Sequence, residues 1–304
     1  MRKLLTDLYN ISAPSFQEER MQIFVSEFCE GAKVKTDESG NIYVTKGKAK
    51  SYPCIVAHLD EVHDHKPGDF KVYSVDKDVI FGYSTTKKFV GIGADDKNGI
   101  WIALQCFLKF DNIKLAFFVA EESGCIGSSA ANMQFFKDTR FVLQCDRKGA
   151  HDFISNACGT ELCSKDFIND VAPETFNFAP ARGAITDVYQ LKENGLTVSC
   201  ANISCGYYNP HTDNEYTVYS ELLNTLDFVF SIIENCTDVY PHKPAPKKQS
   251  TYFIDTYDDY AIEDAEYTIN AMRSIGYSDS YIKDTIALDY PQLSKSDVAY
   301  LMQR

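Results

Sequence analysis

The sequence predicts an α/β protein, a three-layer α/β/α sandwich around a mixed central sheet, and two kinds of segment predict it. Cys54-Ile55-Val56-Ala57, Leu115 to Ala120 and Phe141 to Cys145 are short apolar runs without alternation, the pattern of strands buried on both faces. Asn98 to Leu108 and the segment with Leu222, Leu223, Leu226, Val229, Phe230 and Ile233 carry apolar residues at helical spacing, the pattern of helices that cover such a sheet. The 304 residues suffice for one large domain and a small appendage.

In chain order, Leu4, Leu5 and Leu8 begin an amphipathic helix that Pro14 interrupts. Ser15-Phe16-Gln17-Glu18 has the form of a capping box and is expected to open a second helix through Met21, Phe24, Val25 and Phe28. Asn41 to Thr45 reads as a strand after the turn Ser39-Gly40, and residues 69 to 92 as a hairpin-like region. Farther on come Phe153-Ile154-Ser155, a helix near 161 to 169, a turn at Pro180-Ala181-Arg182-Gly183 and the core-like run Ile185 to Leu191. Thr212-Asp213-Asn214-Glu215 is expected to cap the last large helix.

The chemistry gathers where the apolar runs end. His58 follows the first run, Glu121 and Glu122 the second and Asp146 the third; Gly93-Ala94-Asp95-Asp96-Lys97 opens a helix, and Gly206 to Pro210 delivers His211. Carboxyl ends of strands in open α/β sheets are where sites are built. His58, Asp95, Glu122, Asp146 and His211 are two imidazoles and three carboxylates, a donor set for one or two divalent ions of the zinc, manganese or cobalt kind rather than calcium. Asp60 lies two residues past His58, so its carboxylate can take the second ring N–H and fix the tautomer. Glu121 is then left to serve as general base to a metal-activated water. Each residue has a plainer role as well: Asp95 stands where a helix N-cap would, and either Asp95 or Asp96 could join two ions by spacing alone.

The order His-x-Asp, Gly-Ala-Asp-Asp-Lys, Glu-Glu-x-Gly, Asp and Pro-His-Thr-x-x-Glu resembles the co-catalytic di-zinc exopeptidases of the peptidase T and carboxypeptidase G type, over roughly residues 1 to 236. Single-domain zinc aminopeptidases share the logic. The resemblance implies two zinc ions bridged by Asp95, one completed by His58 and Asp146, the other by Glu122 and His211, with Glu121 as base. It implies hydrolysis of short peptides from an end. An N-acyl amino acid deacylase or other amidase would use the same site, and a non-catalytic scaffold is the third reading. Gly183 to Asp187 resembles a segment lining the pocket of related aminopeptidases. Asp187 offers an acid for a substrate amine, Arg182 a cation for a substrate carboxylate, and Tyr207 a pocket wall. Only 64 residues separate Asp146 from His211, too few for the lid and dimerisation domain usual in the peptidase T type, which leaves oligomeric state open.

Composition narrows the partners. With 30 basic and 43 acidic residues the formal charge is −13, which argues against nucleic acid or an anionic membrane. The start turns polar too soon for a signal peptide, and no apolar stretch is long enough for a membrane span, so a cytoplasmic location is expected. The ten cysteines are scattered through apolar runs, as reduced thiols are. Residues 1–238 are read as the catalytic domain and 239–250, with Pro241, Pro244, Pro246 and three lysines, as a stiff linker. Residues 251–304 read as a small acidic helical module, with helical patterns near 258–274, 278–288 and 294–303. Met272 to Tyr277 is faintly similar to the start of ubiquitin-associated domains, but a tail docked on the catalytic domain or a module for another protein partner is the expectation.

Overall fold

The structure, a computed structural model, describes residues 1–244 and, beyond them, 265, 268, 269, 272, 273, 278–290, 293 and 295–302. The chain divides into two compact units, Met1–Ala245 and Pro246–Arg304.

The first unit is built on a mixed nine-stranded sheet. Its centre is β7 (Ile113–Phe118), β3 (Tyr52–His58), β8 (Thr139–Arg147) and β12 (Cys200–Ser204), side by side and parallel. Antiparallel β2 (Ile42–Lys46) and β1 (Lys33–Thr36) extend one edge; β9 (Asp152–Ala157), β10 (Thr160–Glu161) and β11 (Ala179–Gly183) extend the other. Successive side chains of a strand point to opposite faces. Ile55, Ala57, Leu115, Phe117, Leu143 and Cys145 accordingly enter one apolar core, while Cys54, Val56, Ala116, Phe118 and Val142 enter a second. The first core is roofed by α1 (Arg2–Tyr9), α2 (Glu19–Phe28), α3 (Ala94–Lys109), α5 (Lys165–Val171) and α7 (Tyr219–Asn235), the second by α6 (Asp187–Glu193) and a 3-10 turn at Met133–Phe136. Each large side chain sealed in this way contributes about 1.5–3 kcal/mol by burial. This is the expected three-layer sandwich.

A second, five-stranded antiparallel sheet joins β4 (Lys71–Val75), β5 (Val79–Ser84) and β6 (Lys88–Val90), the hairpin-like region, to β13 (Tyr207–Tyr208) and β14 (Tyr216–Val218). β13 and β14 flank the loop that carries His211, so this sheet positions it.

Four local expectations change. Ser15 does not cap α2: its hydroxyl donates to Asp60 Oδ2 at 2.7 Å, and the helix starts at Glu19 with no side-chain cap. A hydroxyl held by a buried carboxylate is no longer available to a helix N-terminus. Pro180 to Gly183 is no turn but part of β11, which pairs in parallel with β9. Thr212 to Glu215 does not cap α7, because β14 intervenes and the Ser220 N–H donates to Asp78 Oδ1 at the helix start. The linker begins later than 239, since the Tyr240 N–H donates to Arg140 O and the His242 N–H to Thr197 O, fixing this segment to the sheet. Residues 147–210, too few for a lid domain, form β9 to β12 together with α5 and α6, which complete one side of the nine-stranded sheet, and β13 of the second sheet.

In the second unit, α8 (Asp279–Asp289) and α9 (Lys295–Leu301) bury Ile282, Ile286, Val298 and Leu301 with Ala265 and Ile269. Ser278 caps α8 by accepting from the Tyr281 N–H. Residues 258–264, the first part of the expected first helix, lie outside the described residues, as do 274–277 of the segment similar to ubiquitin-associated domains. No disulfide joins any of the ten cysteines, all of which lie among the described residues. Among the described residues no helix is long and apolar enough to cross a membrane.

Candidate metal centre

Parallel neighbours β7, β3 and β8 end on the same side of the sheet, so the residues at their ends are brought together by strand spacing alone. His58 is the last residue of β3, Glu121 and Glu122 lie in the turn after β7, and Asp146 is near the end of β8. Asp95 comes from the non-helical first residues of α3 and His211 from the β13–β14 loop.

Ligand atoms of His58, Asp95 and Asp146 lie within 4.8 Å of one another, as do those of Asp95, Glu122 and His211. Asp95 belongs to both groups. Its Oδ1 is 3.1 Å from His58 Nε2 and its Oδ2 is 3.3 Å from His211 Nε2, which in turn is 3.1 Å from Glu122 Oε2. Asp96, the other residue that spacing allowed, faces elsewhere. It accepts from the Gly99 N–H at 3.0 Å, acting as the cap of α3, and from the His58 N–H at 3.1 Å.

The surroundings hold these groups in place. His58 Nδ1 is 3.1 Å from the Asp60 carbonyl oxygen and 3.3 Å from Asp60 Oδ1. The same carboxylate accepts from the Glu121 N–H at 2.9 Å and the Glu122 N–H at 3.2 Å, so Asp60 anchors the imidazole and the acidic turn together. Sequence reading gave Glu215 to a helix cap, whereas it is buried and accepts from the Gly93 N–H at 2.6 Å and the Asp95 N–H at 3.2 Å. Its signal was the Glu that closes Pro-His-Thr-x-x-Glu. Gly93 itself has φ +65°, and a Cβ there would meet Glu61 Oε2 at 2.1 Å, so no other residue fits. Gln144 was also missed: its Nε2 donates to Asp146 Oδ2 and to Asp187 Oδ2, both at 3.1 Å. Nothing marks such a glutamine inside an apolar run except that it is the run's one polar residue.

Electrostatics favour bound cations. Burial pushes the Asp146 and Glu121 carboxyls well above the carboxylate range, with the neighbouring Asp95 and His58 charges modifying the shift, and raises Glu122 as well. Burial would lower His58, but hydrogen bonds to Asp146, Asp60 and Asp95 raise it instead. Bonds to Asp95 and Glu122 push His211 up to about 11. Glu122 Oε1 is buried without a hydrogen-bond partner. A knot of buried carboxylates around two imidazoles, with an orphaned oxygen aimed among them, is the donor set that divalent cations satisfy.

Glu121, Cys125 and Asp187 make a third group within 4.8 Å. Glu121 Oε2 is 4.0 Å from His58 Nε2, and the Cys125 thiol donates to Glu121 Oε1 at 3.3 Å. Asp187 is fully buried, its Oδ1 has no hydrogen-bond partner, and burial raises it to about 6. The Tyr207 hydroxyl is buried and donates to Asp146 Oδ1 at 3.2 Å, so it orients that carboxylate. Arg182 is half-buried on β11, where it pairs with Asn156 of β9.

No known family profile and no curated protein matches the chain. Solved structures do. Aminopeptidase PepT of Bacillus cereus aligns with a TM-score of 0.64 at 16% identity, covering 76% of this chain and 96% of that one. A tripeptidase of Staphylococcus aureus gives 0.62 at 15%, with coverage of 76% and 96%. The TET1 peptidase of Pyrococcus horikoshii, which can assemble into a tetrahedron or a large octahedral shell, gives 0.58 at 13%, with coverage of 76% and 98%. The mixed sheet and its covering helices thus have the fold that these peptidases share.

Proposed function

We propose that the chain is a metal-dependent exopeptidase that hydrolyses short peptides. The observation that carries this is Asp95, whose two oxygens face two separate imidazoles while Glu121 stands beside one of them. His58, Asp95 and Asp146 would hold one divalent cation and Asp95, Glu122 and His211 the other, zinc in the first instance with cobalt or manganese as alternatives. Such a pair, when bound, supplies polarisation of the scissile carbonyl and a lowered pKa for the attacking water.

The chain's own residues do the rest. Cys125 occupies Glu121 Oε1, which leaves Oε2 to take the water's proton and return it to the leaving amine. Asp60 holds that turn by accepting the Glu121 and Glu122 N–H groups. The unpartnered Asp187 Oδ1 is suited to the substrate's free α-ammonium, which favours release from the amino end.

The test is elemental analysis of the purified protein with hydrolysis of an end-labelled tripeptide, beside a set of acylated amino acids, in the wild type and in Glu121→Gln. The expected result is two cations per chain, release of the amino-terminal residue and a loss of about 10³-fold in kcat with metal content unchanged in the variant. Near-normal turnover in that variant would remove Glu121 as base; cleavage of the acylated amino acids alone would replace the peptidase by an amidase.

A further inference from the structure

We propose that Phe16 determines specificity at this site, its ring meeting an apolar side chain of the peptide residue next to the bond that is cut. The inference rests on the peptidase reading and adds the class of peptide preferred.

Phe16 is the most exposed large apolar side chain of the first unit, at 69%, and its backbone lies in the left-handed region with φ +66°. For a residue with a bulky side chain that conformation costs about 1–2 kcal/mol, and glycine would adopt it freely. The fold gains nothing visible in return, since the ring enters neither apolar core. Backbone strain that the surroundings enforce without a folding benefit points to function.

The surroundings that enforce it are the site's own. On one side the Ser15 hydroxyl donates to Asp60 Oδ2 at 2.7 Å, and Pro14 is bridged to Glu61. On the other, the Phe16 N–H donates at 2.9 Å to Glu18 Oε1, the same oxygen that accepts from the Ala120 N–H at 3.0 Å, one residue before Glu121. The loop is thereby stitched to the segment after β3 and to the turn after β7, the two that carry His58, Asp60, Glu121 and Glu122. An aromatic ring whose backbone is held rigidly by contacts to Asp60 and to the Glu121 turn loses little entropy on contact with substrate. Two more exposed apolar residues adjoin the site in sequence: Ile126, at 44%, follows Cys125, and Ile185, at 42%, lies two residues before Asp187. Carboxylates and imidazoles with exposed apolar residues next to them in the chain suit a peptide whose backbone is polar and whose side chains are not.

The test uses the full chain loaded with zinc, made catalytically silent by Glu121→Gln, and calorimetric binding of trileucine and triglycine with and without Phe16→Gly. Trileucine binding is expected to weaken about tenfold in Phe16→Gly while triglycine changes less than about twofold, the size of one apolar contact. The melting temperature is expected to hold or rise, because glycine relieves the left-handed strain. Equal weakening of both peptides, or no change in either, overturns the proposal, and a lowered melting temperature accompanying equal weakening would assign Phe16 to the fold. Preserved discrimination in binding, with no peptide cleaved by the chain that retains Glu121, would leave Phe16 a peptide contact and dismiss the hydrolase reading. The two failures are therefore separable.

Discussion

The two halves of the candidate metal centre are made differently. The His58 half is built into the sheet: His58 ends a central strand, its side chain is fully buried, and both ring nitrogens face carboxylate or carbonyl oxygens. The His211 half is hung from a loop; the His211 side chain is 52% exposed and its backbone has φ +62°. Asp95 is the joint between them. Preorganisation therefore differs across one carboxylate, and a cation on the His58 side meets ligands already held in place, whereas one on the His211 side must also order a loop. Under the proposed function, one ion is expected to be structural and tightly held and the other to exchange, though both would share Asp95.

His58→Ala should break this comparison most severely. It leaves Asp60, Asp95 and Asp146 buried without their common partner, so the metal-free fold should lose about 3 kcal/mol or more and the cation on that side should be lost. His211→Ala removes a half-exposed side chain and should change stability by less than about 1 kcal/mol while lowering the metal content by one ion. Denaturant unfolding and elemental analysis on the two variants check the pair, and equal destabilisation would abolish the distinction.

Asp60→Ala should come next. Losing the carboxylate that orients His58 is expected to weaken the first cation by about 10- to 100-fold, as read from competition with a chelator. A stronger effect on the second, exchangeable ion would reverse the order of the halves.

The smallest effect concerns Asp187. Its carboxyl is raised by burial from 3.8 to about 6, so in the metal-free fold it binds a proton that the unfolded chain has released. Its contribution therefore turns unfavourable as pH rises from about 4 to 6, with a cost of about 3 kcal/mol at neutral pH. Asp187→Asn should stabilise the metal-free protein at pH 7 and leave it nearly unchanged at pH 3.5, while weakening the binding of peptides with a free amino end. Thermal melts at the two pH values would contradict this if the variant gained nothing at pH 7.

The site was legible to the extent that it depends on residue type at strand ends. Apolar runs announce strands buried on both faces, and carboxylates or imidazoles at their ends stand out because such residues are rarely placed there without a partner. Supports were less legible where a plain local rule competed with a distant contact. Ser15 looked like a helix cap and serves Asp60; Glu215 looked like a cap and holds the Gly93–Asp95 turn. Both are short-range signals overridden by a buried donor or acceptor more than 40 residues away in sequence, where an unmet hydrogen bond would cost more than a missing cap.

By itself the sequence determined the layering, because hydrophobic period and run length follow from which faces must be dry, and it determined the candidate ligands through their chemistry. Only the tertiary structure set Asp95 rather than Asp96 between the two imidazoles, turned most of residues 147–210 into one side of the sheet, and gave Phe16 a left-handed backbone next to the serine that binds Asp60. Those outcomes depend on contacts between segments far apart in the chain, and no local pattern encodes the distance between two loops.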